Sequence, residues 1–315
     1  MRRREAGLRQ GNPRGVRAMI YPALPAPLDL GLLRLNGAGF GNCLFAYFHA
    51  VILAQKEGRR LIAPAWRSIP INRKLRGDGS IRRYHEMVRA HPDELGGPAK
   101  AAALAALLPF ADIQTIAPGT LPHGSKRPLI VVRSARFTFE GLHPHRDRLR
   151  HRLIEIMRRP PPLSPRWGGD RHIAVHVRLG DFDPAGSALL ESRETGNLRL
   201  PIAWYGSVIE RLRALRPDLP IRIHSDGTDE ELTNLLAMDS VTRARSSDDI
   251  NDLVAMASAS VLVGSHSTFS RWAAFLGNMP VIWRARRTPG ESPVDPQVRS
   301  QHIGDDMSAL EDPLA

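Results

Sequence analysis

A chain of 315 residues has room for about two domains. Its 42% hydrophobic and 24% charged content is ordinary for a globular protein, and its formal charge of +12 is not matched by the interleaved aromatics of a single-strand binder, so no nucleic-acid partner is expected. The single cysteine, Cys43, excludes an internal disulfide framework and a cysteine-based metal site, which fits a cytoplasmic setting, and no apolar run approaches the ~18 residues of a membrane span.

The N-terminus carries much of the charge. Residues 1–18 hold six arginines against Glu5, and removing that +5 leaves about +7 on the rest. The segment lacks both hydrophobic periodicity and the apolar core of a secretory signal. Residues 1–30 are therefore expected to form a disordered basic extension. Such a tail could touch anionic lipid, placing the protein peripherally at the inner membrane face, or nucleic acid, which keeps a non-catalytic polyanion-binding protein as an alternative class, or it could be an upstream extension without a role.

A first α/β half is expected over 31–158. It starts with a short strand at 32–35, a glycine-rich run at 36–42 and a helix over 44–57 that Gly58 would end. A strand at 61–62, a polar stretch over 66–98, a helix over 100–108 and a strand at 129–132 follow. A basic amphipathic helix over 144–158 closes the half, with Leu149, Leu153, Ile156 and Met157 as its apolar side. The proline-rich run at 159–165 fits neither helix nor central strand, so 159–170 reads as a linker.

The second half, 171–290, alternates more cleanly. A strand at 172–177 and a long polar loop precede a helix opening at Pro201, with a strand at 221–224 and a helix from about Asp229 after it. A helix at 249–257, a strand at 261–263, a helix at 269–276 and a strand at 281–283 complete it. This alternation argues for parallel sheets with helical cover. Residues 291–315 are expected to be a tail that frays or wraps back.

Five places carry chemistry. Gly37–Ala38–Gly39–Phe40–Gly41–Asn42 sits between a strand and a helix, where glycines let a ligand approach the backbone. Its spacing is not that of a dinucleotide fold or a P-loop, which disfavours a nucleotide-dependent oxidoreductase, and a tight turn without a ligand explains it equally well. His176–Val177–Arg178–Leu179–Gly180–Asp181 ends a strand. Arginine's planar fork suits phosphate there, although a structural ion pair and a core histidine are open alternatives. Gly264–Ser265–His266–Ser267–Thr268–Phe269–Ser270 opens a helix and holds more hydroxyls than an N-cap needs. Asp248, Asp249 and Asp252 begin another helix, where acids complement the dipole, and Asp252 could pair with guanine. Ser225–Asp226–Gly227, with Asp229 nearby, reads as a metal-binding acidic pair or, more economically, a strand-ending turn.

These residues resemble a known family. GAGFGNCLF at 37–45 is similar to the G-G-L-G-N-Q-M-F of bacterial α-1,2-fucosyltransferases, HVRLGDF at 176–182 to their H-x-R-R-G-D-Y, and 252–276 to their D-L-x-L-M-S and N-S-T-F-S-W-W-A-A segment. Pro201–Tyr205 and His224–Asp226 fall in the same order, so the resemblance spans roughly 31–285. It implies an α/β, GT-B-like fold of two Rossmann-like domains with parallel sheets facing a cleft. It further implies GDP-fucose as donor, bound by the C-terminal domain, and a glycan as acceptor.

By that resemblance Arg178 would hold the β-phosphate, His176 would line the nucleotide–sugar site and Asp252 would read the base. Ser267 and Thr268, with Phe269 and Ser270 at the same helix start, would hold the phosphates. Gly39, Gly41 and Asn42 would lie across the cleft, and Ser225 and Asp226 would complete the donor side. Leu179 replaces a second arginine, His266 an asparagine and Arg271 a tryptophan; the first departure bears on donor affinity, and Arg271 would either compensate for it or be a solvated helix residue. The expected reaction is a metal-independent, inverting transfer, with no cofactor. Arg178 and the helix start would stabilise the departing diphosphate, and Asp181, Asp183, Glu191 and Glu194 are candidate bases in the following loop.

Overall fold

The computed structural model describes residues 18–69, 83–117, 119–134, 138–180, 199–285 and 297–315. The first unit runs, in chain order, through β1 (Met19–Pro22), β2 (Leu28–Asp29), β3 (Arg34–Leu35), α1 (Phe40–Lys56), β4 (Arg60–Leu61), β5 (Ser68–Ile69), α2 (Tyr84–Met87), α3 (Gly97–Leu107), β6 (Asp112–Ile116), β7 (Leu129–Ser134) and α4 (Arg146–Ile156). Its main sheet is parallel, in the order β4-β1-β7-β6. A smaller sheet of β2, β3 and β5 leads into the glycine run.

The second unit comprises β8 (Asp170–Val177), α5 (Ile202–Leu215), β9 (Ile221–Ser225), α6 (Thr233–Leu236), β10 (Val241–Arg243), α7 (Asp249–Ser258), β11 (Ala259–Gly264), α8 (Thr268–Gly277), β12 (Val281–Arg284) and β13 (Ser300–Ile303). All six strands are parallel, in the order β10-β9-β8-β11-β12-β13. Numbered within the unit this is 3-2-1-4-5-6, the Rossmann order. The order reverses between β8 and β11. The expected plan, two Rossmann-like α/β units with parallel sheets, is the observed one.

Strand alternation distributes the core. Ile173, Val175 and Val177 of β8 face a core with Trp204, Tyr205 and Val208 of α5. Ala174 faces the other way, into a core that runs through both units and includes Ile20, Phe45 and Trp272. Trp272 is fully buried, with its ring edge-on to Phe48 at 5.2 Å and Phe139 at 4.8 Å. Arg150 of α4 reaches across, donating from Nε to Leu276 O at 2.6 Å and from Nη2 to Gly277 O at 3.2 Å. It satisfies carbonyls at the end of α8, where a cation also complements the helix dipole.

Several expectations need correction. Residues 19–22, assigned to a disordered extension, are a strand of the first sheet, paired on both sides by β4 and β7. The signal is short: Met-Ile-Tyr ahead of a proline and beside an arginine-rich stretch. Residues 1–17 lie outside the described residues. The stretch expected to be a tail contributes β13 as an edge strand on β12 and buries Leu310, so it wraps back. The helix expected from Asp229 is a turn followed by the four residues of α6. The expected strand at 32–35 shortens to β3. The edge strands β6, β10 and β13 went unread because their residues are half-exposed and carry little apolar signal. None of the described helices is long and apolar enough to cross a membrane.

Buried histidines make the fold pH-sensitive. Burial, with Arg222 and then His224 beside it, pushes His172 down to about 4, and burial likewise lowers His176 and His49. The unfolded chain protonates such imidazoles near their ordinary pKa of about 6.5, so it binds more protons than the native state between the two values. Stability is complete above about pH 6.5 and falls as pH drops toward 4. Urea midpoints measured across that window should decline with acid, and His172→Phe should flatten the decline.

Candidate functional site

The reversal between β8 and β11 is where ligands bind in open α/β sheets, outside the carboxyl ends of the strands. The two second-half motifs meet there. Beyond β8 comes Arg178; beyond β11 come Ser265–Ser267 and the start of α8. His176 joins them. It is 4% exposed, its Nδ1 lies 2.6 Å from Ser270 Oγ and 3.1 Å from Ser265 Oγ, and the Ser265 amide donates to Ser270 Oγ at 3.0 Å. Burial first, and Arg178 second, hold this imidazole well below its usual pKa, so it is neutral at pH 7. His176 thus acts inside the protein as a tie between strand and helix start.

Ser267 is the N-cap of α8, accepting from the Ser270 amide at 3.2 Å. A helix start presents amides with no intrahelical partner, a favourable place for an anion. His266 Nε2 donates to Arg284 O at 3.0 Å, which anchors the loop from its other side.

Arg178 is a quarter exposed and pairs with Asp226 Oδ2 at 2.8 Å. The other oxygen, Asp226 Oδ1, accepts from the Leu179 amide at 2.8 Å. Asp226 therefore aligns Arg178 and the backbone behind it, and Gly180 must lack a Cβ because one would collide with this carboxylate. Ser225 Oγ accepts from the Gly227 amide at 3.0 Å, which closes the strand-ending turn. Asp229 pairs with Arg243, so the two acids of that turn serve different arginines. Among the described residues no group of three or more His, Cys, Asp or Glu could hold a metal ion.

Asp252 Oδ1 accepts from His224 Nδ1 at 2.9 Å and from Ser246 Oγ at 2.6 Å. Burial works to raise its pKa, but the hydrogen bond and charge of His224, aided by Ser246, hold it below the usual carboxylate value. The sequence did not single out His224 or Ser246 as partners of Asp252. The pairing of His176 with His224 across β8 and β9 places His224 on the same face, and only the sheet register reveals it.

The first unit meets this site directly. Thr268 Oγ1 donates to Asn42 Oδ1 at 2.6 Å, and Trp272 Nε1 donates to Gly41 O at 2.7 Å. A Cβ on Gly41 would stand 2.9 Å from Thr268 Oγ1 and 3.1 Å from the Phe269 amide nitrogen. Gly39 is the N-cap of α1 and Gly41 its second residue. Gly37 has a separate reason: a Cβ there would lie 2.8 Å from Arg34 Nη1. Arg34 is fully buried under the glycine run, donating from Nε to Ala65 O at 2.7 Å and from Nη1 to Pro25 O at 3.2 Å. Sequence reading passed over it because an arginine in a short strand looks exposed.

Two departures from the family pattern acquire a place. Leu179 is 3% exposed in the α5-side core, packed on Gly227, so its side chain is a core filler. Arg271 is half-buried, its guanidinium 5.5 Å from the Phe139 ring and 5.9 Å from that of Phe45, a cation–π arrangement rather than a solvated helix residue. Asp181, Asp183, Glu191 and Glu194 lie outside the described residues.

No family model and no curated protein matches the chain. Among solved structures it is similar to the NodZ α-1,6-fucosyltransferase of Bradyrhizobium soaked with GDP-fucose, at 15% identity over 87% of this chain and 97% of that one, with a TM-score of 0.40. It is similar to a variant of Arabidopsis thaliana FUT1 in complex with GDP, at 12% identity over 87% of this chain and 71% of that one, with a TM-score of 0.47. It is also similar to the E. coli heptosyltransferase WaaC with ADP, at 14% identity over 93% and 96%, with a TM-score of 0.41. At these identities and scores the likeness assigns neither an activity nor a residue role.

The docking of α1 on α8 is testable without a ligand. Gly41→Ala should lower stability by about 1–3 kcal/mol through overpacking, less the ~1 kcal/mol that alanine returns in helix propensity. Urea unfolding measures the net loss of about 0–2 kcal/mol, and a raised midpoint would show that the two helix starts are not in close contact.

Proposed function

We propose that the chain is an inverting glycosyltransferase that moves fucose from GDP-fucose to a hydroxyl of a glycan. The observation that carries this reading is the convergence at the sheet reversal. Arg178 and the start of α8 stand together there, tied by His176 to Ser270 at 2.6 Å, with Asn42 of the first unit hydrogen-bonded to Thr268. The motifs that resemble those of α-1,2-fucosyltransferases are the ones that meet. An α-1,2 linkage to galactose in a surface glycan is what the resemblance favours, with an α-1,6 linkage to a signalling oligosaccharide as the alternative. Product linkage analysis separates them.

In this reading the bond between fucose C1 and the β-phosphate oxygen breaks as the acceptor oxygen attacks from the opposite face. Negative charge grows on the departing diphosphate. Arg178, aligned by Asp226, takes up part of it, and the amides at the start of α8 with the Thr268 hydroxyl take up the rest. These groups are already oriented, so little reorganisation accompanies the charge transfer. Asp252 is ionised at neutral pH and can accept from the N1 and N2 donors of guanine through the oxygen not held by His224. A carboxylate of the 181–198 loop, Asp181 or Asp183 first, would take the acceptor proton. Gly39 and Gly41 would border the acceptor. The reaction would need no metal or cofactor, and lipid contact through the basic N-terminus would bring the enzyme to a membrane-borne acceptor.

Arg178→Ala should lower transfer at least ~100-fold while circular dichroism and the thermal midpoint stay unchanged; full activity would remove Arg178 from the phosphate site. Turnover should survive EDTA. Calorimetry should give saturable GDP binding and weak UDP binding, and the reverse order would overturn both the Asp252 role and the donor.

A further inference from the structure

The second unit carries a cavity that the proposed reaction does not use. It is an open cleft of about 430 Å³ beside α7, over the amino-terminal halves of β8 and β9. The candidate site lies at the other ends of these strands. His172 and Arg222 come from the sheet, Arg245 from the turn after β10, and the proline-rich connection supplies Pro161, Pro162 and Leu163 as the facing wall.

Three observations point to a ligand. First, His172 is 2% exposed, and its buried Nε2 has no hydrogen-bond partner among the described residues. Buried polar atoms in native proteins are almost always satisfied, and His172, whose Nε2 is not, is one of the residues that line the cavity. Second, the cavity is electropositive. Arg222 and Arg245 have no acidic partner among the described residues, and Asp170, the acid on the wall, stands 4.0 Å from Arg166. Third, Leu163, 80% exposed in a segment of prolines, and Val254 and Ala255 of α7 add apolar surface to the lining. Cationic forks, a neutral imidazole and an apolar wall fit a small molecule with one anionic end.

We propose that this cavity binds a phosphorylated small molecule, its phosphate between Arg222 and Arg245 on the side that His172 lines, its body against Pro161–Leu163. The size suits a sugar phosphate or part of a nucleotide. Ser246 belongs to both places: it lines the cavity and donates to Asp252 at 2.6 Å. Occupancy would therefore be felt at the Asp252 carboxylate. The proposal itself rests on the cavity and stands independently of the fucosyl-transfer reading.

Glucose 1-phosphate and inorganic phosphate serve as probes on the full chain, by calorimetry and by the NMR shift of the His172 imidazole. Saturable binding of glucose 1-phosphate that moves the His172 signal is expected. The exposed pair of changes Arg222→Ser and Arg245→Ser should weaken it about tenfold or more, the loss of two charge-assisted contacts, and Arg178→Ala should leave it intact. Equal affinity for both probes would assign the cavity to the phosphate group alone; tighter glucose 1-phosphate would add the apolar wall. Absence of binding, or binding lost in Arg178→Ala and kept in the Arg222/Arg245 variant, would overturn the proposal.

Discussion

The start of α8 is held from two sides, and the candidate site depends on that. From the second unit, His176 ties β8 to Ser265 and Ser270. From the first unit, Asn42 accepts from Thr268 and the Gly41 carbonyl accepts from Trp272. A helix start held only by its own sheet could shift relative to the opposite unit. Here the same first turn carries the inter-unit contact, so the anion-favouring amides and the glycine run keep a fixed separation. Trp272 supplies the apolar part of the contact and its indole N–H the polar part, which is the usual way a buried tryptophan is satisfied.

Charges around this point are arranged so that few are left to search for partners. Asp226 spends one oxygen on Arg178 and the other on the Leu179 amide. Asp252 is oriented by His224 and Ser246 through a single oxygen. The acids therefore hold cations and backbone in place, and Arg178 stays a quarter exposed beside the start of α8. In the proposed transfer, preorganisation of this kind would favour developing charge because the dipoles need not turn. It also explains why His176 is neutral: a second positive charge beside Arg178, without water to stabilise it, would be costly.

Residue identity at a motif position does not say which way the side chain points. Leu179 looks like a lost phosphate contact when the family pattern is laid beside it, yet it packs in the core under Gly227. Arg271 looks like a solvated helix residue, yet it covers two aromatic rings of the first unit. Gly41 looks like a ligand loop, and its missing Cβ is also what lets two helices meet. The physical reason is common to all three. Direction follows from strand alternation and helix phase, and neighbours follow from how distant segments pack.

The sequence by itself determined the parallel α/β class and the capped helix starts of the second half, because buried parallel strands read as apolar runs and helix starts carry hydroxyl and acidic caps. It missed β1, a strand hidden between an arginine-rich stretch and a proline, and the half-exposed edge strands β6, β10 and β13, whose pairing replaces what their composition lacks. Tertiary structure alone decided that the strand order reverses between β8 and β11, that His224 reaches Asp252, that Arg34 is buried beneath the glycine run and that the two units share a core. Each of these joins residues tens to hundreds of positions apart. Local periodicity carries no information about such pairs, and only the packed chain brings them together.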